Sequence, residues 1–190
     1  MNTTKLISSL AAQGRTFEEI RLVLQKEHHV GMIWTDDVHY SLNFDRSNAT
    51  HDEISRECNG LILRRSDNTV VAYGIDYFDE ADDLPAKTTF PLYVVPIPDG
   101  TFLKLYWDAA WCVGTSRLSD GTQATWNGTK NFSETFFDIV KQQFDGLLDV
   151  LDKGCTYTVI MHDPANRVVS KREEAYICFV AVTNNMTFGE

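Results

Sequence analysis

The sequence predicts an α+β fold, a mainly antiparallel β-sheet with flanking helices, and three observations carry that prediction. Short runs rich in β-branched and aromatic residues recur along most of the chain, each bounded by Gly, Pro, Asn or Asp. Two longer segments instead repeat their apolar residues at helical spacing. With 190 residues, 43% of them hydrophobic and 12% aromatic, the chain is long and apolar enough to bury a core. No low-complexity run or internal repeat divides it, so one domain over 1–190 is expected, with 1–34 as an N-terminal helical part and 35–190 as the β-rich core.

The first helix is predicted over residues 17 to 28. In "TFEEIRLVLQKEHH" Phe17, Ile20, Leu24 and the neighbouring Leu22 and Val23 recur at helical spacing, and Thr16 followed by Glu19 forms a capping box. Strands are predicted in "VGMIWTDD", "VHYSLNF", "GLILRRSD" and "TVVAYGID". The "SDNT" between the last two reads as a hairpin turn, because Asp and Asn tolerate turn conformations. After the acidic loop "DEADDLPAKTTFP" come "LYVVPI", "TFLKLYW" and "AWCVGTS", with "WDAAW" as a tight connection. The second helix is predicted through "NFSETFFDIVKQQFDGLLDVLD", capped by Ser133, with Phe136, Phe137, Val140, Phe144, Leu147, Leu148 and Leu151 on its core face. The chain closes on "CTYTVIMHD", a turn "PANR", then "VVSK" and "AYICFVAVT".

Charge narrows the function. With 27 acidic against 17 basic residues and a net charge of -10, the chain is poorly suited to neutralising the phosphates of extended RNA or DNA. No apolar stretch approaches a bilayer span, and the start "MNTTKLISSLAAQGRTFEEI" lacks a basic region followed by an apolar block and a cleavage site. A cytoplasmic location without a membrane partner is therefore expected, in the host cytoplasm for a viral protein. Cys58, Cys112, Cys155 and Cys178 are scattered among apolar neighbours without a CxxC pair, which predicts buried, reduced thiols. His28, His29, His39 and His51 have no acid or cysteine cluster at ligand spacing, so neither a metal nor a cofactor is expected.

"YSLNFDRSNATHDEISRECNGLILRRSDNTVVAYGIDYFDE", "PIPDGTFLKLYWDAAWCVGTS" and "TYTVIMHDPANRVVSKREEAYICFV" follow one another over residues 35 to 190. In that order they resemble the bacteriophage-type RNA ligases of the covalent nucleotidyltransferase superfamily. There, Arg-Glu-Cys-Arg-Gly, Asp-Lys-Phe-Phe, Glu-Lys-x-Asp-Gly-Ser and Tyr-Thr-Phe-Glu-Leu segments line the site. The resemblance implies an RNA-ligase-like nucleotidyltransferase core. Family members use a lysine of depressed pKa to attack the α-phosphate of ATP, with cationic groups and a metal offsetting the charge that develops.

Carried over position by position, that chemistry is missing here. Ile97 stands where the nucleophilic lysine would be, between Pro96 and Pro98. Asn59 replaces the arginine of Arg-Gly, Tyr77 the lysine of Asp-Lys-Phe-Phe, and Ile160 the glutamate of Phe-Glu-Leu. An isoleucine cannot form a phosphoramide, and the only nearby substitutes are Lys104, on the strand after Asp-Gly, and Lys87, in the loop before it. On the resemblance, "NNMTFGE" falls ahead of the family's second catalytic glutamate and its final Lys-x-Lys motif, so a shortened member is expected. Asp99 and Gly100 keep the tight turn, Glu57 and Cys58 the strand that follows them, and Trp107, Tyr157, Asn166 and Arg167 keep packing or turn positions.

The candidate ligand-binding residues are accordingly Asn59, Tyr77, Ile97, Asp99, Gly100, Thr115, Ser116, Ile160 and His162. His162 joins the set because it follows Ile160 by two positions and so points to the same face of a strand. Three functions fit these residues. The first is an inactive ligase-derived protein that binds or sequesters a nucleotide or nucleotide-derived signal through base stacking and hydrogen bonding. Since the resembled family is largely viral and phage-borne, such a protein would act as a counter-defence sponge. The second is an acidic interaction or inhibitor module that meets a basic protein partner through Asp79, Glu80, Asp82 and Asp83, the pocket being vestigial. The third is retained ligase, nucleotidyltransferase or hydrolase activity, the last through His162 or Asp99.

Overall fold

The computed structural model describes residues 13–43, 52–74, 98–126, 129–166, 169 and 173–185. They form an α+β structure with two four-stranded sheets rather than one, every neighbouring pair antiparallel. The first sheet runs β1 (Met32–Thr35), β2 (His39–Asn43), β3 (Leu61–Arg64) and β4 (Val70–Ala72) in spatial order. The second contains β5 (Thr101–Asp108), β6 (Ala110–Gly114), β7 (Cys155–His162) and β8 (Tyr176–Asn184), in the order β6-β5-β7-β8. The sequence-predicted strand at 92–97 lies outside the described residues, as does most of "VVSK".

Helix α1 spans Phe17–His28, as the apolar spacing predicts. Its capping box is formed: the Thr16 side chain accepts from the Glu19 backbone, and Glu19 accepts from the backbone of Thr16 at 2.8 Å. Phe17, Ile20 and Leu24 are the buried stripe, and they pack with Leu42, Leu61, Leu63 and Tyr73 of the first sheet. Leu22 is 43% exposed, since it falls off that stripe. A short helix α2, Glu53–Glu57, is capped by Asp52 and tied to the end of α1 by His28 Nδ1, 3.0 Å from Asp52 Oδ2.

The two tight turns lie where the sequence reading places them. Asn68 sits at φ 58 in the β3–β4 hairpin, where Asp67 accepts from the Thr69 N–H at 3.0 Å. Ala109 takes φ 62 to join β5 to β6 within a single residue.

The second predicted helix needs correction. It divides into α3, Phe132–Gln143, and α4, Leu147–Val150, because Gly146 takes a left-handed φ of 78 between them. The cap is Asn131, not Ser133: its side chain accepts from the Glu134 N–H at 2.8 Å, and Glu134 accepts from the Asn131 N–H at 3.1 Å. Phe136 and Val140 are buried against Leu103, Leu105, Tyr157 and Val159 of the second sheet, with Phe137, Leu147, Leu148 and Leu151 half-buried around them. Phe144 is 37% exposed, since the chain leaves the helix at that residue. The prediction for the thiols is also corrected in part. All four are free and Cys58 and Cys155 are buried, but Cys112 and Cys178 are only half-buried. Among the described residues no helix is long and apolar enough to cross a membrane.

Strand β5 joins the two halves because its side chains alternate between them. Leu103 and Leu105 enter the core under α3, whereas Tyr106 packs with Ile62, Val71 and Ala72 of the first sheet. Replacing Asn131 with Ala should lower stability by about 1 kcal/mol in urea unfolding, the usual loss of an N-cap, while Ser133→Ala should leave the midpoint nearly unchanged.

Candidate functional site

A cleft of about 740 Å³ opens where the two sheets meet. Gly31, just before β1, and Trp34 and Asn43 of the first sheet line it on one side, with Gly100, Thr101 and Phe102 at the entry to β5 and Thr115 to Leu118 in the turn after β6. Ala124, Trp126 and Phe132 close it from the segment leading into α3. Its walls present three large rings to solvent: Trp34 is 48%, Phe102 42% and Trp126 55% exposed. Trp126 is held by its indole N–H, which donates to Thr101 Oγ1 at 3.0 Å, and by a tilted contact with Phe132. At the polar end the Asn43 amide donates to the Ser116 carbonyl at 2.9 Å, and Thr115 Oγ1 accepts from the N–H groups of Arg117 and Leu118.

Of the residues predicted from sequence, Gly100, Thr115 and Ser116 line this cleft. A Cβ on Gly100 would lie 2.6 Å from both Ile160 Cγ2 and the Met161 carbonyl, so glycine lets β7 run against this turn. Ile160 is fully buried, opposite Phe102 in the β5–β7 pairing. His162 is 3% exposed and stacks on Tyr176 with ring centroids 5.1 Å apart. It shares a recess of about 10 Å³ with Asp99 and Asn166, next to the large cleft, with which the recess has Gly100 and Thr101 in common. Asp99 accepts from the Val169 N–H through its carboxylate and from the Tyr176 hydroxyl through its carbonyl, both at 3.0 Å. Asn59 is half-buried in the turn between α2 and β3. Tyr77 and Ile97 lie outside the described residues, as do His51, Lys87, Arg167 and the acidic residues 79, 80, 82 and 83.

Two polar features at the joint were not anticipated. At one end of β5, Asp108 accepts from His39 Nε2 at 2.8 Å and from Nε and Nη2 of Arg64, so one carboxylate of the second sheet grips two residues of the first. Burial pushes the Asp108 carboxyl up, but Arg64 and His39 outweigh it and hold the group below its ordinary value. Beside it, Asp36 accepts from the Ser119 hydroxyl and from the N–H groups of Val38 and His39, at 2.7 and 2.6 Å. These bonds likewise outweigh burial and keep its carboxyl low. Tyr106 completes the joint by donating to the Ser119 carbonyl at 2.9 Å.

The other feature is Lys104, which is 4% exposed and donates its amine to the Gly60 carbonyl. Gly60 takes φ +82, and a Cβ there would lie 3.0 Å from the Lys104 Nζ, so glycine makes the contact possible. Burial pulls the Lys104 amine down to about 7. No carboxylate among the described residues pairs with it. A signal was available: Lys104, Tyr106 and Asp108 share one side of a strand whose other side is Leu103 and Leu105. Among the described residues no group of three His, Cys, Asp or Glu side chains is arranged to hold a metal ion.

No known family model matches the chain, and no curated protein matches it.

Lys104 sets a stability prediction. Its amine sits below the ordinary 10.5, so between pH 7 and 10.5 the folded protein holds fewer protons than the unfolded chain, and this contribution to stability rises with pH across that window. Below about pH 7 the penalty for charging the buried amine is fully present. Lys104→Met should therefore raise the urea midpoint at pH 7, by on the order of a few kcal/mol in stability, with a gain that shrinks toward pH 10. A Met variant less stable at pH 7 and unchanged by pH would contradict this.

Proposed function

We propose that the protein is a catalytically inactive, RNA-ligase-like nucleotide-binding protein that holds or sequesters a nucleotide or a nucleotide-derived signal. The observation that carries this reading is the cleft between the sheets, with Trp34, Phe102 and Trp126 exposed on its walls and Asn43, Thr115 and Ser116 at one end. Exposed aromatic faces accept the π-face of a base, and an amide, hydroxyls and a turn backbone read its polar edge. A nucleobase with its sugar is of a size to occupy such a cavity.

The resemblance supports the RNA-ligase-like part of the reading, and two antiparallel sheets enclosing a cleft are compatible with it. Inactivity rests on Ile97: an aliphatic side chain offers no lone pair to the α-phosphate of ATP. A counter-defence role, in which a bound signal is kept from its receptor, follows from the family's viral and phage setting.

Thermal unfolding against mononucleotides, cyclic dinucleotides, NAD, ADP-ribose derivatives and short RNA tests the reading. A ligand at 100 times its Kd stabilises by about 2.7 kcal/mol, so one nucleotide class should raise the Tm clearly. Trp34→Ala and Trp126→Ala should each weaken that ligand about tenfold, the usual worth of a stacked base. Labelled ATP with Mg²⁺ should leave no covalent adduct. A flat panel overturns nucleotide binding, and an adduct overturns inactivity.

A further inference from the structure

We infer that Lys104 supplies the counter-charge for an anionic group of the cleft's ligand, so that the site takes a phosphate-bearing molecule and takes up a proton with it. This rests on the reading of the cleft as a nucleotide site and names the part of the nucleotide that the buried end recognises.

The geometry begins with strand alternation. Lys104 leaves β5 on the same side as Phe102, two residues earlier, and Phe102 lines the cleft. The amine is pinned to the Gly60 carbonyl. A Cβ built on Gly60 would lie 3.0 Å from Lys104 Nζ and 3.2 Å from the Ser116 carbonyl, so amine, Gly60 and Ser116 meet at one point. Ser116 lines the cleft, and so does Asn43, whose amide holds the same Ser116 carbonyl at 2.9 Å. The Asn43–Ser116 contact thus links the lining of the cleft to the point where the amine meets Gly60. Arg117, the next residue, is exposed and lines the cleft as well, which adds a permanent cation at that end.

Among the described residues the groups around the amine leave it without a fixed negative charge. Across the strand pairs lie Gly114, with no side chain, and Thr158, a neutral hydroxyl. Along β5 the neighbours on the same side are Phe102 and Tyr106, and burial pushes the Tyr106 phenol up, so it stays neutral. On the opposing turn Asn59 carries an amide. Burial is the sole cause of the depressed amine, with no charged side chain contributing. An amine kept in this state costs stability and makes no ion pair with any of the described residues. An anion brought to the Ser116 end changes the balance: it favours the ammonium form, raises the amine's pKa, and is itself held by the charge so formed. A carbonyl-bound amine is suited to this role because the Gly60 contact fixes its position in both protonation states.

The test follows the Lys104 ε-methylene by NMR across pH, its signal assigned by its loss in Lys104→Met. Titrations are run on the free protein, with inorganic phosphate, and with adenosine and guanosine beside their 5′-monophosphates. The midpoint should lie well below the ordinary lysine range in the free protein. It should rise by about one unit or more with phosphate or a monophosphate, equivalent to a tenfold coupling between proton and anion, and stay in place with the nucleosides. Lys104→Met should bind nucleoside and nucleotide with the same affinity. A midpoint unmoved by phosphate and by both monophosphates overturns the assignment, even where the cleft binds nucleosides. A midpoint raised by phosphate alone, with no binding of any nucleoside or nucleotide, upholds the lysine assignment and overturns the nucleotide reading of the cleft.

Discussion

Asp108 ends the strand that two hydrophobic layers share, and its carboxylate is held by His39 and Arg64 of the opposite sheet. Three side chains that begin far apart in the chain are brought together there with little exposure of the carboxylate, 8%. Burying a carboxylate is costly unless it is paired and hydrogen-bonded, and here Arg64 and His39 meet that requirement together. The same contact specifies how the sheets lie, since a one-residue slip of β2 or β3 would turn His39 or Arg64 to the opposite face. The rest of the joint depends on that setting. Tyr106 packs among Ile62, Val71 and Ala72 only where β5 lies over β3 and β4, and its hydroxyl then reaches Ser119.

The cleft follows from the same arrangement. β5 carries its polar side chains toward the first sheet and its leucines toward α3, so the interior between the sheets is unusually polar for a core. At the Asp108 end that polarity is neutralised by ion pairs. At the other end it is not: Lys104 meets a carbonyl, and the two sheets separate around Phe102, Trp34 and Trp126. One strand therefore supplies a tight seam at one end and an open, aromatic-walled cavity at the other, lined by residues of both sheets.

What sequence reading could recover divides by distance along the chain. The α1 capping box, the "SDNT" hairpin and the single-residue β5–β6 connection are local; the first two are formed as their residue types require, whereas the third puts Ala109 at φ 62, which alanine seldom adopts. Asn131 and Ser133 are both cap-competent residues. Glu134, three residues after Asn131, was the distinguishing signal, and the Asp-Gly pair at 145 and 146 marked the break that follows. One sheet was expected where two exist, because strand count and alternation do not reveal which strands pair. In the site, Gly100, Thr115 and Ser116 were legible from the Asp-Gly turn and the strand after it. His39 and Asp108 were not, because their contact spans 69 residues and neither has an informative neighbour. Trp34 and Trp126 read as ordinary aromatic residues until the fold brings β1 and the segment before α3 to one cleft.

The dependence of this arrangement on its polar seam is most directly measured by a double-mutant cycle. His39→Gln, Asp108→Asn and the double variant are compared with the unaltered protein in urea unfolding at neutral pH, which isolates the energy of the contact from the cost of each replacement. A coupling of about 1 kcal/mol or more is predicted, as for a buried hydrogen bond to a charged carboxylate. Additive losses, with coupling within about 0.3 kcal/mol of zero, would mean that apolar packing alone holds the sheets in register and would contradict the account.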